Sequence, residues 1–561
     1  MPKDTLIEAL ESGIRRNWEY AALSDFNEKG LTYGELADRL TWFHRLFRQA
    51  QVKQGDKIAL LGKNSVNWAL AYLATLTYGA VIVPILPDFQ PSDVHHIVNH
   101  SDAMLLVVSE TLFEKLDPEK ISDCGGFLSL DSLSFLHIQK KSLTRAFGST
   151  APTPPIPPVT GITPRDFSLS PVDSQKTATI NYTSGTSGFS KGVELSHASL
   201  MSNIRYGQEN MPLVQGDRIL SFLPLAHAYG CAFEFLFPLT LGCHITFLKK
   251  TPSPRIIMEA FAQVRPQLIL SVPLVIEKIY RKQIKPLLKK PAIRAARHIW
   301  PVDRLLKGKI YRKLHSAFGG KFHELVIGGA ALNPEVEDFF RSIGFPITVG
   351  YGMTECGPLI SYSSWKTTRA RSVGQPVDRL EVRIDSPDPA ETVGEILVRG
   401  INVMKGYYKN PQATRAAIDS EGWLHTGDLG LRDADGFVYI KGRSKDMILG
   451  PSGQNIYPEE IENKLNNMDY VMESLVMERN NQLTALVYPD FDRVYADGMK
   501  EEELKSHLEK VRGELNTVLP TYSRVARIEI YPEEFEKTPT RKIKRFLYTI
   551  PASGTGPGEE K

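Results

Sequence analysis

The 561-residue chain reads as an α/β protein. The expected architecture is a large N-terminal body of doubly wound α/β subdomains with a small β-rich subdomain, then a small α+β C-terminal domain. Three observations predict it. Short apolar, β-prone runs alternate with helix-length stretches through the first 120 residues, a rhythm that builds a parallel sheet covered by helices. Residues 379–441 change character into short strands divided by turn residues. The composition, 42% hydrophobic and 23% charged, is that of an ordinary soluble globular chain, and the length asks for several folding units.

The elements follow in order. Thr32-Tyr33-Gly34-Glu35 is a capping box that opens an amphipathic helix. KIALLG (57–62), AVIVPIL (80–86) and AMLLVVS (103–109) are strand-like runs with helical patterns between them. The stretch Ala69 to Pro87 carries no charge, but Gly79 and Pro84 interrupt it, so a helix and a buried strand fit better than a bilayer-crossing helix. APTPPIPPVTGITP (151–164) is a Pro-rich extended connection. Beyond it RILSFLPL, HITFL, QLILSVP and HELVIGG are further strands of α/β units. Ser221 to Leu248 holds Glu234, His227 and two prolines, so it too reads as buried core. RLEVRID, GEILVRG and GFVYIKGR form the β-rich subdomain. Boundaries are expected at 1–443 for the body, 444–550 for the C-terminal domain and 551–561 for a disordered tail. No internal repeat is visible.

Charge and cysteines narrow the function classes. Lys and Arg total 67 against 64 Asp and Glu, a net +3. Gripping nucleic acid needs a dominant basic surface, so no nucleic-acid partner is expected. Cys124, Cys231, Cys243 and Cys356 are scattered, with no CxxC pair, which argues against both a disulfide framework and a structural zinc site. The charged, amphipathic start is unlike a secretory signal, so the expected compartment is the cytoplasm.

The sharpest local signal is the run Thr183-Ser184-Gly185-Thr186-Ser187-Gly188, followed by Lys191. A β-prone segment enters a loop of hydroxyls and glycines whose backbone N–H groups can turn toward an anion, while Lys191 supplies charge. This is a phosphate-binding loop in kind, though not of Walker type, because no Gly-Lys-Ser/Thr follows Gly185 at the required spacing. Gly188-Phe-Ser190-Lys-Gly192 also matches GxSxG, which keeps a serine hydrolase as a weak alternative. That elbow, however, needs its serine at an abrupt strand-to-helix turn.

Together with four segments downstream, the loop resembles the adenylate-forming superfamily of acyl-CoA synthetases, luciferases and peptide-synthetase adenylation domains. The segments are Tyr351-Gly-Met-Thr-Glu355, Gly422-Trp-Leu-His-Thr-Gly-Asp428, Gly442-Arg-Ser-Lys-Asp446 running on to Tyr457-Pro-Glu-Glu-Ile-Glu462, and Lys537-Thr-Pro-Thr-Arg-Lys542-Ile543. They occur in the family's order, and the resemblance covers about residues 30–550. It implies ATP, Mg²⁺ and coenzyme A as partners of the reaction. By resemblance, Thr183 to Gly188 and Lys191 grip the β/γ-phosphates, Thr354 contacts the α-phosphate, and Glu355 with Thr183 holds Mg²⁺. Gly328, Gly329 and Ala330 form the adenine-side loop, with Tyr351-Gly352 over the base. Asp428 and Arg443 take the ribose hydroxyls. Lys542 reaches the α-phosphate and carboxylate oxygens during adenylation. Arg541 stands where the family commonly has Gly, and Lys544 and Arg545 are neighbouring cations. Lys445 marks the hinge about which a mobile C-terminal domain turns after adenylation.

Only a short tail follows Lys542, so a stand-alone ligase is expected rather than a modular synthetase. His227, in Pro-Leu-Ala-His-Ala-Tyr-Gly, matches a family position near the acid carboxylate, and Leu223 to Phe237 supplies apolar lining for an acid pocket. Some long-chain members place a gating tryptophan shortly after that histidine; Tyr229, Cys231 and Phe233 stand here. Residues 281–313 carry twelve Lys/Arg and one acid, Asp303. The segment is either a solvated helical face or a peripheral contact with the inner face of an anionic membrane. The reading that follows is ATP-dependent conversion of a medium- to long-chain fatty acid to acyl-AMP, with pyrophosphate release, and then to acyl-CoA. Delivery to an acyl carrier protein is the alternative.

Overall fold

The structure, a computed structural model, describes residues 5–148, 159–183, 190–249, 254–291, 293, 298–449, 454–480, 482–538 and 542–548. Most of the Pro-rich connection (151–158), Ser184 to Gly188 of the phosphate loop, Arg541 and the tail 551–561 lie outside the described residues.

The α/β expectation holds. The largest sheet runs, from edge to edge, Gly406–Tyr407, Lys191–Ser196, Thr177–Thr183, Val81–Ile85, Lys57–Leu61, Ala103–Val108, Gly126–Ser129 and Phe135–Ile138. Its five central strands, from Thr177–Thr183 to Gly126–Ser129, are parallel. Burial on both faces explains why they read as continuous apolar runs rather than alternating ones. Helix Val66–Tyr78 is apolar nearly all round and buried accordingly, and Gly79 ends it at φ 81°, a left-handed cap that glycine adopts without a Cβ clash. The Thr32 capping box forms as written, with both reciprocal hydrogen bonds.

A second sheet joins Arg218–Ser221, His244–Phe247 and Ala21–Asp25 in parallel, with Leu31–Thr32 at its edge. A third joins Leu268–Ser271, Glu324–Ile327 and Ile347–Val349. Between the first two strands of the second sheet the chain makes a buried one-turn helix, Ala228–Gly230, a π-helical turn, Cys231–Leu236, and a short helix, Phe237–Leu241. No helix among the described residues is long and apolar enough to cross a membrane. The β-rich unit is an antiparallel sheet of Leu380–Asp385, Gly394–Gly400, Leu424–Arg432 and Val438–Arg443.

Past Arg443, helix Pro458–Leu465, the antiparallel pair Val471–Arg479 and Gln482–Pro489, helix Glu501–Thr517 and the parallel strand Arg527–Ile530 enclose an apolar core of their own. The basic segment meets this unit. Lys285 donates to Asn467 O at 2.8 Å and Lys289 pairs with Asp469 at 2.7 Å. Arg281 reaches Met472 O at 3.3 Å.

Candidate active site

The strands on either side of the hydroxyl- and glycine-rich loop form a β-hairpin. Thr183 and Lys191 are register partners at its loop end, the last pair before the intervening segment. The Lys191 ammonium lies 4.8 Å from the centre of the Tyr407 ring, a cation–π contact. The Tyr407 hydroxyl donates to Glu355 Oε1 at 3.0 Å. Glu355 sits in the single helical turn Thr354–Cys356, and its carbonyl accepts from Met404 N at 2.8 Å. Tyr407 thus joins the basic end of the loop to the acid of YGMTE. Ser190 leads into a strand, so the abrupt strand-to-helix turn of a hydrolase elbow is absent there.

Asp428 and Arg443 are partners on adjacent antiparallel strands, and Arg443 Nε donates to Asp428 Oδ1 at 2.9 Å. The other carboxylate oxygen accepts from the Tyr351 hydroxyl at 2.6 Å. Asp428 is only 4% exposed. Burial, and then the Asp428 charge, push the Tyr351 phenol well above its usual pKa, so it stays a donor.

Gly328 follows the buried strand Glu324–Ile327, and its N–H donates to Ser271 O at 3.0 Å. A Cβ on Gly328 would lie 2.9 Å from the Tyr229 ring, which explains the glycine. Gly329, at φ 88°, and Ala330 are exposed, leaving small residues and open backbone where a planar base can approach. Tyr229 reaches across from the acid-side turn and donates to Val326 O at 3.1 Å.

Lys542 lies in the last described stretch of the C-terminal unit, its side chain exposed although protein crowds it closely enough to desolvate it. Desolvation, and then the Arg443 charge, lower its pKa; Asp428, Glu459 and Glu355 oppose the shift. His227, half-buried, is pushed down to about 4 by burial and by the Lys542 charge, so it is neutral near pH 7. The charges of Arg443, Asp428 and Glu355 thus act on Lys542, and that of Lys542 on His227, although the five residues span more than 300 residues of sequence. The neighbouring cations are engaged elsewhere: Lys544 with Glu536 at 2.5 Å, and Arg545 with Glu462. A short β-bridge, Lys537 to Ile543, with Lys537 held to Glu473 at 2.7 Å, carries Lys542 forward. Lys445 is exposed in the turn that leaves the β-rich sheet, where Asp446 N and Met447 N donate to Arg443 O.

Sequence reasoning missed Tyr407 and Glu459 as site residues. Glu459 lies within the Tyr457-Pro-Glu-Glu segment, so position in a motif was a signal for it. Tyr407 had none, because its place depends on pairing between Gly406–Tyr407 and the strand Lys191–Ser196.

Several known proteins are similar to the chain. It is 29% identical to the long-chain-fatty-acid–acyl-carrier-protein ligase AEE15, chloroplastic, of Arabidopsis thaliana, over 92% of this chain and 81% of the relative. It is 28% identical to the long-chain-fatty-acid–CoA ligase FadD15 of Mycobacterium bovis, over 88% and 86% of the two chains. Among solved structures, the anthranilate CoA ligase AuaEII with anthranoyl-AMP superposes with a TM-score of 0.79 at 18% identity, over 98% of this chain and 97% of that one. ATP-bound MatB from Rhodopseudomonas palustris gives 0.74 at 21%, over 97% and 98%. These structural likenesses speak for the fold. The profile of the AMP-binding enzyme family matches residues 10–408, and the chain belongs to that family.

Proposed function

We propose that the protein is an AMP-forming acid–thiol ligase that activates a medium- to long-chain fatty acid and passes the acyl group to coenzyme A. The observation that carries this reading is the linkage of Lys191 through Tyr407 to Glu355, and of Tyr351 and Arg443 to Asp428, with Lys542 within electrostatic reach of both groups. The names of the fatty-acid ligases similar to it support the choice of acid.

A free carboxylate is a poor acylating agent because oxide is a poor leaving group. Attack of a carboxylate oxygen on the α-phosphorus of ATP forms the P–O bond of acyl-AMP and breaks the bond to pyrophosphate. Thiol attack on the acyl carbonyl then forms the thioester and releases AMP, the thiol proton going to solvent. Negative charge gathers at the α-phosphate in the first step, so cations and N–H donors in a dry cleft are the main catalytic resource. We assign the α-phosphate and carboxylate oxygens to Lys542 and Thr354, the terminal phosphates to the 183–188 loop and Lys191, the base to Gly328–Ala330 and Tyr351-Gly352, and the ribose hydroxyls to Asp428 and Arg443. Neutral His227 offers a hydrogen bond without a competing charge beside the acid.

The donor set fits Mg²⁺. Glu355 is a lone carboxylate oriented by Tyr407, with Thr183 at the start of the phosphate loop, and Mg²⁺ characteristically takes one or two carboxylates and fills its shell with phosphate and water. When bound it would neutralise phosphate charge.

We further assign residues 444–550 to a domain that turns about Lys445 between the two half-reactions, with 1–443 as the fixed body. Its separate apolar core supports this division. Peripheral membrane contact is the reading for the basic segment beyond its interdomain part. Ile299, Val302 and Leu305 are exposed, Leu305 by 73%, alongside exposed Arg304, Lys309, Arg312 and Lys313. Apolar side chains ringed by cations are what an anionic bilayer surface takes up. Four free, buried cysteines fit a reducing cytoplasmic compartment.

Pyrophosphate release with ATP, Mg²⁺ and acids of graded chain length, without acceptor, with coenzyme A and with an acyl carrier protein, tests the reading. Release that peaks with long-chain acids, and acyl-CoA as product, is expected. Acyl-AMP that accumulates despite coenzyme A and turns over only with the carrier protein overturns the choice of acceptor.

A further inference from the structure

The chain between strand Arg218–Ser221 and His227 has no regular secondary structure, yet Leu223, Leu225 and Ala226 are buried within it. Side chains from three distant elements hold it. Asn64, between strand Lys57–Leu61 and helix Val66–Tyr78, uses both ends of its amide. Nδ2 donates to Leu223 O at 2.7 Å and to the Ser221 hydroxyl at 3.3 Å, and Oδ1 accepts from Leu225 N at 3.0 Å. Asn181 Nδ2 donates to Ala226 O at 3.4 Å. From the π-helical turn, Glu234 Oε2 accepts from Leu223 N at 3.1 Å.

Glu234 is the unexpected member. It is 1% exposed among phenylalanines, and no cation is among the described groups acting on it. Burial raises its pKa well above the ordinary range, against the Ser221 side chain and the Leu223 and Phe222 amides. A buried carboxylate without a charged partner costs several kcal/mol, so burial favours the neutral acid. Packing alone would be served by leucine. What leucine lacks is an acceptor for the Leu223 amide, which burial would otherwise leave unmatched.

The position of His227 depends on this stretch. Its N–H donates to Pro224 O at 3.0 Å, and Pro224 lies between the two residues that Asn64 and Glu234 anchor. A Cβ on Gly230 would lie 2.8 Å from the same Pro224 carbonyl, so the helical turn after His227 is packed tightly beneath it. The far side has a separate anchor in the Tyr229 hydroxyl on Val326 O.

We propose that Glu234 and Asn64 are positioning residues that fix the Leu223–His227 turn and thereby the place where His227 meets the acid carboxylate; this rests on the reading of His227 given above. A displacement of about 1 Å at a reacting centre costs on the order of a hundredfold in rate. The effect should fall on the acid rather than on ATP.

The full chain tests this with Glu234→Leu, Glu234→Gln, Asn64→Ala, His227→Ala and the double variant Glu234→Leu/His227→Ala. Pyrophosphate release with palmitate is measured alongside the KM for palmitate, the KM for ATP and Tm. Glu234→Leu should lower kcat/KM for palmitate by on the order of a hundredfold, with the KM for ATP retained and Tm lowered only slightly by the unmatched Leu223 amide. Asn64→Ala should shift the same parameters. Glu234→Gln should restore most of the rate, since its amide oxygen accepts the same N–H. The double variant should be no slower than His227→Ala, as expected when one residue acts through the other. Losses that multiply in the double variant overturn the positioning role while leaving His227 in place. Equal loss for acid and ATP with a much lower Tm overturns it as well. A fully active His227→Ala removes the reading of His227 and this proposal with it.

Discussion

Asn333 and Asn467 exchange side-chain hydrogen bonds between the body and the C-terminal unit. Asn333 Nδ2 donates to Asn467 Oδ1 at 2.7 Å, and Asn467 Nδ2 returns a bond to Asn333 Oδ1 at 3.0 Å. Asn333 Oδ1 also caps helix Pro334–Ser342, and the residue follows closely on the Gly328–Ala330 loop. Lys285 strengthens the contact, bridging Glu335 at 3.1 Å and Asn467 O.

Asn467→Ala removes the reciprocal bonds and spares the helix cap, so it should leave Tm nearly unchanged. Losing such a pair is worth roughly 1–2 kcal/mol, about a tenfold shift between domain orientations. Adenylation is expected to slow by that order while thioester formation from supplied acyl-AMP holds or rises. Equal slowing of both half-reactions would count against a contact that favours this orientation.

Lys542→Ala should nearly abolish adenylation and leave thioester formation from acyl-AMP close to normal. The lowered pKa of Lys542 adds a pH signature. The ammonium is present below that pKa and lost as pH rises through it, so kcat/KM for adenylation should fall on the alkaline side before ordinary lysine would titrate. An alkaline limb at the ordinary lysine value, or the same limb in the thiolation step, is incompatible with this role.

His227, with a pKa of about 4, should contribute no inflection to the adenylation profile between pH 5 and 8. Its protonation is expected only near pH 4. A limb near 6.5 that disappears in His227→Ala would show the imidazole to be solvated and titrating normally.

The triad of Tyr351, Asp428 and Arg443 can be separated by kinetics. Tyr351→Phe keeps the ring and loses one bond to the carboxylate, about 1 kcal/mol, so the KM for ATP should rise roughly fivefold. Asp428→Ala leaves Arg443 unpaired and removes the proposed ribose acceptor, so a larger rise, on the order of a hundredfold, is expected. Steady-state ATP titrations at saturating acid check both.

Leu305→Glu on the exposed face of helix Trp300–Ala317 should weaken co-sedimentation with vesicles rich in anionic lipid, without slowing turnover of detergent-dispersed acid. Added salt should weaken the wild-type association in the same assay. Binding that is indifferent to both changes would remove the membrane reading.

The sequence by itself determines the elements and the family. Period-2 and period-3.6 patterns, the Thr32 capping box and the interruption at Gly79, where a helix ends, are local, and each is found where it is written. The motif residues stand in short, ordered segments, so the roles proposed for Glu355, Asp428, Arg443 and Lys542 can be read without coordinates. Other site residues are not, because their roles come from neighbours far along the chain. Tyr407 enters through an edge-strand pairing with Val193, and Asn64 through a loop more than 150 residues from the turn it holds. Glu234 looks like an interruption in an apolar run, and only packing shows a buried acid bound to the Leu223 amide. The same is true of the basic segment, where Lys285, Lys289 and Arg281 meet Asn467, Asp469 and Met472 of the C-terminal unit. Periodicity reports which face of an element is buried; which partner lies against that face is set by how the sheets and the C-terminal unit pack, and only the tertiary structure decides it.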